Sequence, residues 1–367
     1  MDTVRIEGLT LNLARNSEGV TNWDDLVAGT ASTESTGSSD VPTAAALAIG
    51  GVDISEATVQ WVDEQAGSKV QISSMNLVTG PLSPAAPIEL DLGFDVAANA
   101  PALSGHIEST GALTYDADRQ VVNAKGLTLS ADLKGDTLPG GGIKANLSGD
   151  AVFDQVAQLI SIANLRFQVP EAVLGANKTE VTVVGDVTAD LANWLVSSPK
   201  LTIEAALRGD ELPGGDVPLK LVTGLQADLN NGSIGLNDYR VTSGALNAGG
   251  TLTVSALQSD PTIDGTLNVA ELNPKQLLTD LGQNAPETSD PKALTSFQMK
   301  STLSGSADRI TLKPVTAKLD DSLLKGNVMV ENFADPAIQL DLAVDAIDVD
   351  RYLAPGQSAT ATPGAAG

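Results

Sequence analysis

The chain has 367 residues, no cysteine and a formal net charge of −25. The composition rules out disulfides, thiolate metal sites and cysteine nucleophiles, and the acidity disfavours nucleic acid and anionic membrane surfaces as partners. Aromatic residues make up only 3% of the chain, so small and aliphatic side chains must fill whatever is buried. No run of about 18 apolar residues occurs, so the sequence predicts no membrane-spanning segment in the chain as given.

Composition divides the chain into four predicted regions. Residues 1–28 predict a strand followed by a short helix, and residues 29–48 predict a disordered loop because Ser, Thr, Ala and Gly leave little to bury. Residues 49–353 predict one continuous β body, and residues 354–367 predict a linker tail of Ala, Pro, Thr and Gly. A repeat array of this length can form a single body, which favours one β unit over several globular domains.

Apolar and polar residues alternate through most of residues 88–270. A period of two over successive segments predicts strands with one apolar and one polar face. These strands should be long, roughly 10–14 residues against a usual mode of about 5 or 6. Short turns such as LPGG at Leu138 and Leu212 predict that sequential strands pair antiparallel. The residues predicted to form the apolar face, and to contact lipid collectively, are Leu127, Leu129, Leu133, Ile143, Leu147, Phe153, Val181, Val183, Val187, Leu201, Ile203, Leu207, Leu219 and Leu221.

The β body is built from repeats of about 37 and about 75 residues. The strand–turn–strand segment 111–129 recurs 38 residues later at 149–167, and looser copies follow. The segments LTLSADLKGDTLPGG and LTIEAALRGDELPGG, 74 residues apart, agree at ten of fifteen positions. A fixed period predicts stacked units that mostly contact their neighbours.

One segment of the body departs from the strand pattern. LNPKQLLTDLGQ, residues 272–283, has Pro at a helix start, three leucines on one face and Gly at its end. These signals predict a short helix near 273–282.

The apolar face of such a sheet must be covered by another sheet, by helices or by a ligand. Helical sequence is too scarce to cover it, which leaves two alternatives open. The interior is a filled sandwich, or the sheet curls into a trough whose aliphatic lining accepts flexible hydrocarbon. We therefore expect a mostly β fold, a long antiparallel meander curled into an elongated groove or taco-like sheet, with a few short helices.

Candidate chemical groups are few. The lone His106 cannot form a metal cluster or a triad with another histidine, and a structural role fits it better. Turn acids on a solvated face account best for three carboxylate pairs, because this spacing lacks the further oxygen ligands of a calcium site. These pairs are Asp116 with Asp118, Asp320 with Asp321, and Asp348 with Asp350. The GDxLPGG segments lack the lysine and helix of a phosphate loop. We expect no enzyme activity, no cofactor and no metal.

Three tryptophans, Trp23, Trp61 and Trp194, are scattered along the chain. Their spacing favours a role as packing anchors.

Several motifs together resemble the AsmA family of Gram-negative envelope proteins, which includes relatives such as TamB. They are RIEGLTLNLARNSEGVTNWDDL, GVDISEATVQWVDEQAG, NLVTGPL, LPGG, ELNPKQLLTDLGQ and AIDVDRYLAP. The resemblance implies an inner-membrane anchor through one N-terminal helix and a periplasmic β body with a long hydrophobic groove. Relatives are thought to carry phospholipids toward the outer membrane, and the family is linked to outer-membrane protein assembly and lipopolysaccharide levels. The chain lacks that helix, so we expect it to be a fragment.

The leading hypothesis is a non-enzymatic, periplasmic envelope biogenesis protein that binds phospholipid acyl chains and assists their transport between the inner and outer membranes. The alternative is an assembly factor that influences outer-membrane protein insertion or lipopolysaccharide levels. In that case its sheet edges bind strands of outer-membrane proteins.

Overall fold

The computed structural model describes residues 2–24, 50–82, 86–210, 212, 214–333 and 335–356. These residues form a long, mostly antiparallel meander of nineteen strands with very few helices. The predicted fold class, mostly β with a long antiparallel meander, is therefore confirmed. The curling of the sheet into a groove stays a prediction. The predicted loop at 29–48 lies outside the described residues, as does most of the predicted tail at 354–367.

The strands are β1 (Val4–Glu7), β2 (Thr10–Arg15), β3 (Val52–Asp63), β4 (Ser68–Thr79), β5 (Ile88–Asn99), β6 (Ala102–Asp116), β7 (Val121–Lys134), β8 (Gly142–Asp154), β9 (Leu159–Leu174), β10 (Asn177–Asp190), β11 (Leu195–Arg208), β12 (Asp216–Asp228), β13 (Ser233–Ser243), β14 (Leu246–Ser255), β15 (Thr262–Leu272), β16 (Phe297–Ser306), β17 (Arg309–Leu319), β18 (Ser322–Glu331) and β19 (Ala337–Val344). The helix α1 spans Pro274–Asp280, and single 3-10 turns span Pro139–Gly141 and Val349–Tyr352.

Residue contacts divide the chain into two units, Met1–Val184 and Gly185–Gly367, with the boundary inside β10. We call them unit 1 and unit 2. In unit 1, the short strands β1 and β2 both pair with β3 in parallel. From β3 to β9 each strand then pairs antiparallel with the next. The repeat 111–129 corresponds to the end of β6, its turn and the start of β7.

Unit 2 repeats this arrangement from β11 to β19, again with each strand antiparallel to the next. The helix α1 lies between β15 and β16, within the segment 272–283 whose sequence predicts a helix. Asn273 caps its N-terminus, since the side-chain oxygen accepts a hydrogen bond of 3.1 Å from the backbone N–H of Gln276. Pro274 at the first helical position needs no hydrogen-bond acceptor there.

Bulges inside the strands keep the apolar residues on one face. In β7, the register with β8 shifts between Ala124 and Leu127. Gly126 adopts a φ of 58° at this point and donates its N–H to the Asp150 carboxylate at 2.9 Å. A regular strand would place Ala124 and Leu127 on opposite faces, because side chains alternate. The extra residue moves both onto the same face.

Candidate functional site

The cross-strand register of unit 1 aligns apolar residues in rows perpendicular to the strands. Directly paired residues lie on the same face of a sheet. The longest row crosses β1 and β3 to β9 and contains one polar residue, Ser109. Its members are Ile6, Ile54, Leu77, Leu92, Ser109, Leu129, Leu147 and Phe167. A second row on this face consists of Val59, Ile72, Val96, Gly105, Leu133 and Ile143.

The opposite face of unit 1 is polar. The neighbouring row contains Asn76, Gly93, Glu108, Ser130, Asn146 and Gln168. Cross-strand ion pairs lie on this face, including Lys144 with Asp132 at 3.0 Å. Unit 1 is therefore a two-sided sheet, as the alternation predicts.

His106 also lies on this polar face. Its Nδ1 atom is 2.8 Å from the Asp95 carboxylate, and its Nε2 atom is 3.4 Å from Glu108. The Asp95 carboxylate is the main reason that the pKa of His106 lies above its ordinary value. The same contact lowers the pKa of Asp95. The contact with Asp95 joins β6 to β5, whereas Glu108 lies on the same strand as His106. All three side chains are solvent-exposed, which fits the structural role predicted for His106.

The longest apolar row among the described residues lies in unit 2. One row crosses nine consecutive strands, β11 to β19, without a polar side chain. Its members are Ile203, Leu221, Val241, Ala248, Val269, Met299, Ala317, Leu324 and Val344. A second row on the same face contains Leu225, Leu236, Leu252, Gly265, Leu303, Leu312, Val328 and Leu340. We call this surface the unit 2 apolar face, and its counterpart the unit 1 apolar face.

Both apolar faces remain partly accessible to solvent. No large side chain among the described residues is fully buried, although a filled sandwich of this size would bury many. Exposure rises at the last strand, where Ile338 is 64% and Leu340 is 65% exposed. The aliphatic surfaces in the described part of the chain are therefore only partly shielded from solvent.

The predicted lipid-contacting residues fall into three groups by burial. Leu201 is buried at 8% exposure, Leu129 and Leu219 are exposed at 40% and 37%, and the other eleven are half-buried. Register places Leu129, Leu133, Ile143 and Leu147 in the unit 1 rows, and Ile203 and Leu221 in the nine-strand row. Val181, Val183 and Val187 alternate along β10 and are half-buried.

The alternation of apolar and polar residues in the sequence did not identify most of the residues that form the apolar surface of unit 2. Sequence reasoning selected no site residue beyond Leu221, although apolar rows continue through β19. The signal that could have extended the selection is the spacing of aliphatics in Ala337–Val344, which matches the preceding strand.

A polar cluster that the sequence did not predict holds the last 3-10 turn of unit 2, Val349–Tyr352. Arg351 contacts the carboxylates of Asp321 and Asp290, at 3.0 and 2.7 Å, and both contacts raise the pKa of its guanidinium. The buried Asp320 accepts hydrogen bonds from the backbone N–H groups of residues 294, 295 and 296, and from the Tyr352 hydroxyl at 3.0 Å. This cluster anchors the loop before β16 to the β17–β18 turn.

Burial and hydrogen bonding act in opposite directions on Asp320. Desolvation favours the neutral acid, but the backbone N–H groups and the Tyr352 hydroxyl outweigh it, so the pKa lies below its ordinary value. Asp320 is thus a structural carboxylate, in agreement with the prediction of a turn acid, although it is buried at 8% exposure where a solvated face was expected. That correction has a physical cause, since four donors compensate its lost hydration.

The described residues contain no group of three or more His, Asp or Glu placed to hold a metal ion. Asp116 accepts a hydrogen bond of 3.1 Å from the backbone N–H of Arg119, as expected of a turn residue. Trp23 and Trp61 pack with their ring centroids 5.4 Å apart, whereas Trp194 is 59% exposed. The packing role predicted for Trp194 therefore lacks support from its burial.

These features define a class of β-meander protein whose sheet surfaces are amphipathic and whose apolar faces stay partly exposed. The AsmA family model matches residues 1–365, and the chain belongs to the AsmA family. The predicted family is thereby confirmed. Membership supports an envelope-associated protein with an envelope-related function, and the family is not known as an enzyme family.

No curated protein and no solved structure matches the chain. Among the helices within the described ranges, none is long and apolar enough to cross a lipid bilayer.

Proposed function

We propose that this chain is a non-enzymatic, periplasmic envelope biogenesis protein whose apolar faces bind phospholipid acyl chains and assist lipid transport between the inner and outer membranes. The observation that carries the proposal is the nine-strand row from Ile203 to Val344, which is entirely apolar. Eight spacings of about 4.8 Å make this row about 38 Å long. It offers hydrocarbon a continuous surface, whereas a soluble protein rarely leaves such a patch without a partner.

Acyl chains suit this surface because their binding depends on area and not on fixed polar contacts. Each methylene removed from water contributes about 0.8 kcal/mol. Aliphatic rows without aromatic anchors select flexible hydrocarbon over a particular ring or head group. We therefore expect low specificity for acyl chain length and saturation.

Native mass spectrometry of the purified chain, with lipid extraction from the same sample, tests the proposal. A double variant, Leu133→Asp with Leu221→Asp, places one charge on the unit 1 apolar face and one in the nine-strand row of unit 2. Hydrocarbon contact makes each charge costly, so bound lipid should fall. The double variant Thr128→Asp with Gln226→Asp is the matched control, because it adds the same charges to the polar faces of the same two strands. Folding of both variants is checked by circular dichroism.

Two results would contradict this proposal. One is a lipid-free wild-type protein after reconstitution with phospholipid vesicles, and the other is equal lipid loading in wild type and in the folded variant with Leu133→Asp and Leu221→Asp. Transfer of labelled phospholipid between donor and acceptor vesicles then separates binding from transport. A chain that binds lipid without accelerating transfer would leave only the binding function.

A second candidate, the assembly factor that binds outer-membrane protein strands, rests on β19. Within the described residues of unit 2, β19 pairs with β18 and with no further strand. Its sequence AIQLDLAV contains no Pro or Lys, the residues that often protect an exposed edge. The pairing with β18 runs without a register shift, so the edge is regular enough to accept another strand.

Hydrogen exchange tests this candidate. A peptide copying the last strand of an outer-membrane barrel protein is added in excess, and amide exchange is followed in β19. Strand addition should slow exchange in Ala337–Val344 while leaving β5 unchanged. Unchanged protection of β19 at saturating peptide would rule out this mode of binding.

A further inference from the structure

The polar face of unit 2 contains a cavity of about 430 Å³ formed by strands β13 to β16. Most of its lining side chains are polar, and they include two cations, Arg240 and Lys300. The lining also contains three side-chain amides, of Asn247, Asn268 and Gln298. The cavity therefore offers cationic groups and N–H donors together, which suits an oxygen-rich anion.

Register places the two cations in one cross-strand row. Arg240 pairs with Gly249, Gly249 with Asn268, and Asn268 with Lys300. Three strand spacings of about 4.8 Å separate the Cα atoms of Arg240 and Lys300 by about 14 Å. Both side chains are long and flexible, so their charged ends can approach each other above the two short residues between them.

Two of the residues that line this cavity, Gly249 and Gly250, are glycines. A Cβ atom at Gly249 would lie 2.6 Å from the backbone oxygen of Tyr239, and one at Gly250 would lie 2.1 Å from that of Thr266. Gly250 also has a φ of 157°. Backbone atoms thus already occupy the space that these Cβ atoms would need, so both positions require glycine.

The charges around the cavity favour an anion in spite of the net charge of −25. Among the described residues, neither Arg240 nor Lys300 forms an ion pair, unlike Lys220 with Glu204 or Arg309 with Glu331. The only carboxylate in the lining is Asp238. With two cations and one carboxylate, the lining keeps a net charge of +1.

We propose that this cavity is a binding site for a phosphate group, held between Arg240 and Lys300 over Gly249. The guanidinium of Arg240 can donate two parallel hydrogen bonds to phosphate oxygens, and the Lys300 ammonium supplies a second positive charge. The same chemistry fits inorganic phosphate and the phosphate ester of a lipid head group. Because the cavity is open to water, we expect a dissociation constant of about 1 mM.

The site is independent of the acyl-chain function proposed above. Arg240 lies on the opposite side of β13 from Val241, which belongs to the nine-strand row. An acyl chain on the unit 2 apolar face is therefore separated from the phosphate site by the sheet. Failure of one proposal leaves the other intact.

Nuclear magnetic resonance of the ¹⁵N-labelled full chain tests the site through the amides of Gly249 and Gly250. The probes are inorganic phosphate and short-chain phosphatidic acid below its micelle concentration, with sodium chloride at matched ionic strength as the salt control. Arg240→Gln and Lys300→Gln each remove one cation from the cavity. Lys125→Gln removes one exposed cation from unit 1 and serves as the control variant.

Saturable shifts of both glycine amides with phosphate, weakened about tenfold by either cavity substitution and less than about twofold by Lys125→Gln, would support the site. Equal affinity for both probes identifies the phosphate group alone as the ligand. Tighter binding of phosphatidic acid identifies a lipid head group. The proposal is overturned if sodium chloride produces the same shifts, or if neither probe shifts these amides.

Discussion

The buried carboxylate of Asp320 is the strongest single test of how unit 2 is held together. Three backbone N–H groups donate to it over 2.7, 2.9 and 3.1 Å, from Leu294, Thr295 and Ser296. The Tyr352 hydroxyl donates a fourth hydrogen bond. Asp320→Ala removes the acceptor for all four donors at once.

The expected cost follows from these contacts. A hydrogen bond to a charged group contributes about 1.5–3 kcal/mol, and the contributions are not additive because water can enter the vacated space. We expect Asp320→Ala to destabilise this region by about 3 kcal/mol, and Asp320→Asn by about 1–2 kcal/mol, since the amide keeps one acceptor oxygen. The neighbour Asp321 is a matched control, because its side chain is 84% exposed and Arg351 is its one ion-pair partner among the described residues. Asp321→Ala should cost less than about 1 kcal/mol.

Hydrogen exchange of the amides at residues 294–296 measures this locally, which avoids assuming that a chain of two units unfolds in one step. A loss of about 3 kcal/mol corresponds to exchange about 100-fold faster. Exchange in Asp320→Ala that stays within about threefold of wild type would refute the reasoning, as would an equal effect of Asp321→Ala.

Three further predictions concern single positions. Gly265→Val should cost about 1–3 kcal/mol in urea unfolding, since a Cβ at Gly265 would lie 2.2 Å from the backbone oxygen of Thr251. Gly235→Val, where the nearest atom is at 3.8 Å, should be tolerated, and equal midpoints would contradict the steric argument. The raised pKa of His106 means that its stabilisation is present below about pH 6.5 and is lost as the pH rises through the folded-state value. His106→Gln should therefore lower the urea midpoint slightly at about pH 5.5 and not at about pH 8.5, whereas the same difference at both would contradict it. Asn273→Ala should cost about 1 kcal/mol, seen as faster amide exchange at the start of α1, and unchanged exchange would contradict the cap.

Much of the fold follows from the sequence because a strand imposes its period directly on the side chains. The alternation in Leu127–Leu133 predicts β7, and the repeat at 149–167 predicts the turn between β8 and β9. The predicted strand lengths of roughly 10–14 residues are close to the observed 10–16 residues of β3 to β18. The cap signals at Asn273 and Pro274 are local, so the helix was also within reach of sequence reasoning.

The bulges and the polar cluster could not be predicted in this way. Before the bulge at Gly126 an even-numbered residue, Ala124, lies on the apolar face, and after it an odd-numbered residue, Leu127, does. Only the pairing of β7 with β8 reveals this change. The sequence predicts a solvated turn acid at Asp320 because its four donors come from residues 24 to 32 positions away. The phosphate site proposed at Arg240 and Lys300 likewise depends on register across four strands, which periodicity within one strand does not contain.

The nine-strand row has a consequence for how such a chain changes in evolution. Each strand contributes one residue to the row, and each sequence repeat of about 37 residues contributes two strands. Duplication of one repeat would lengthen the row by about 10 Å without disturbing a central core, because no large side chain in the described part of the chain is fully buried. Gene duplication can thus change the length of the apolar surface in steps of one β-hairpin.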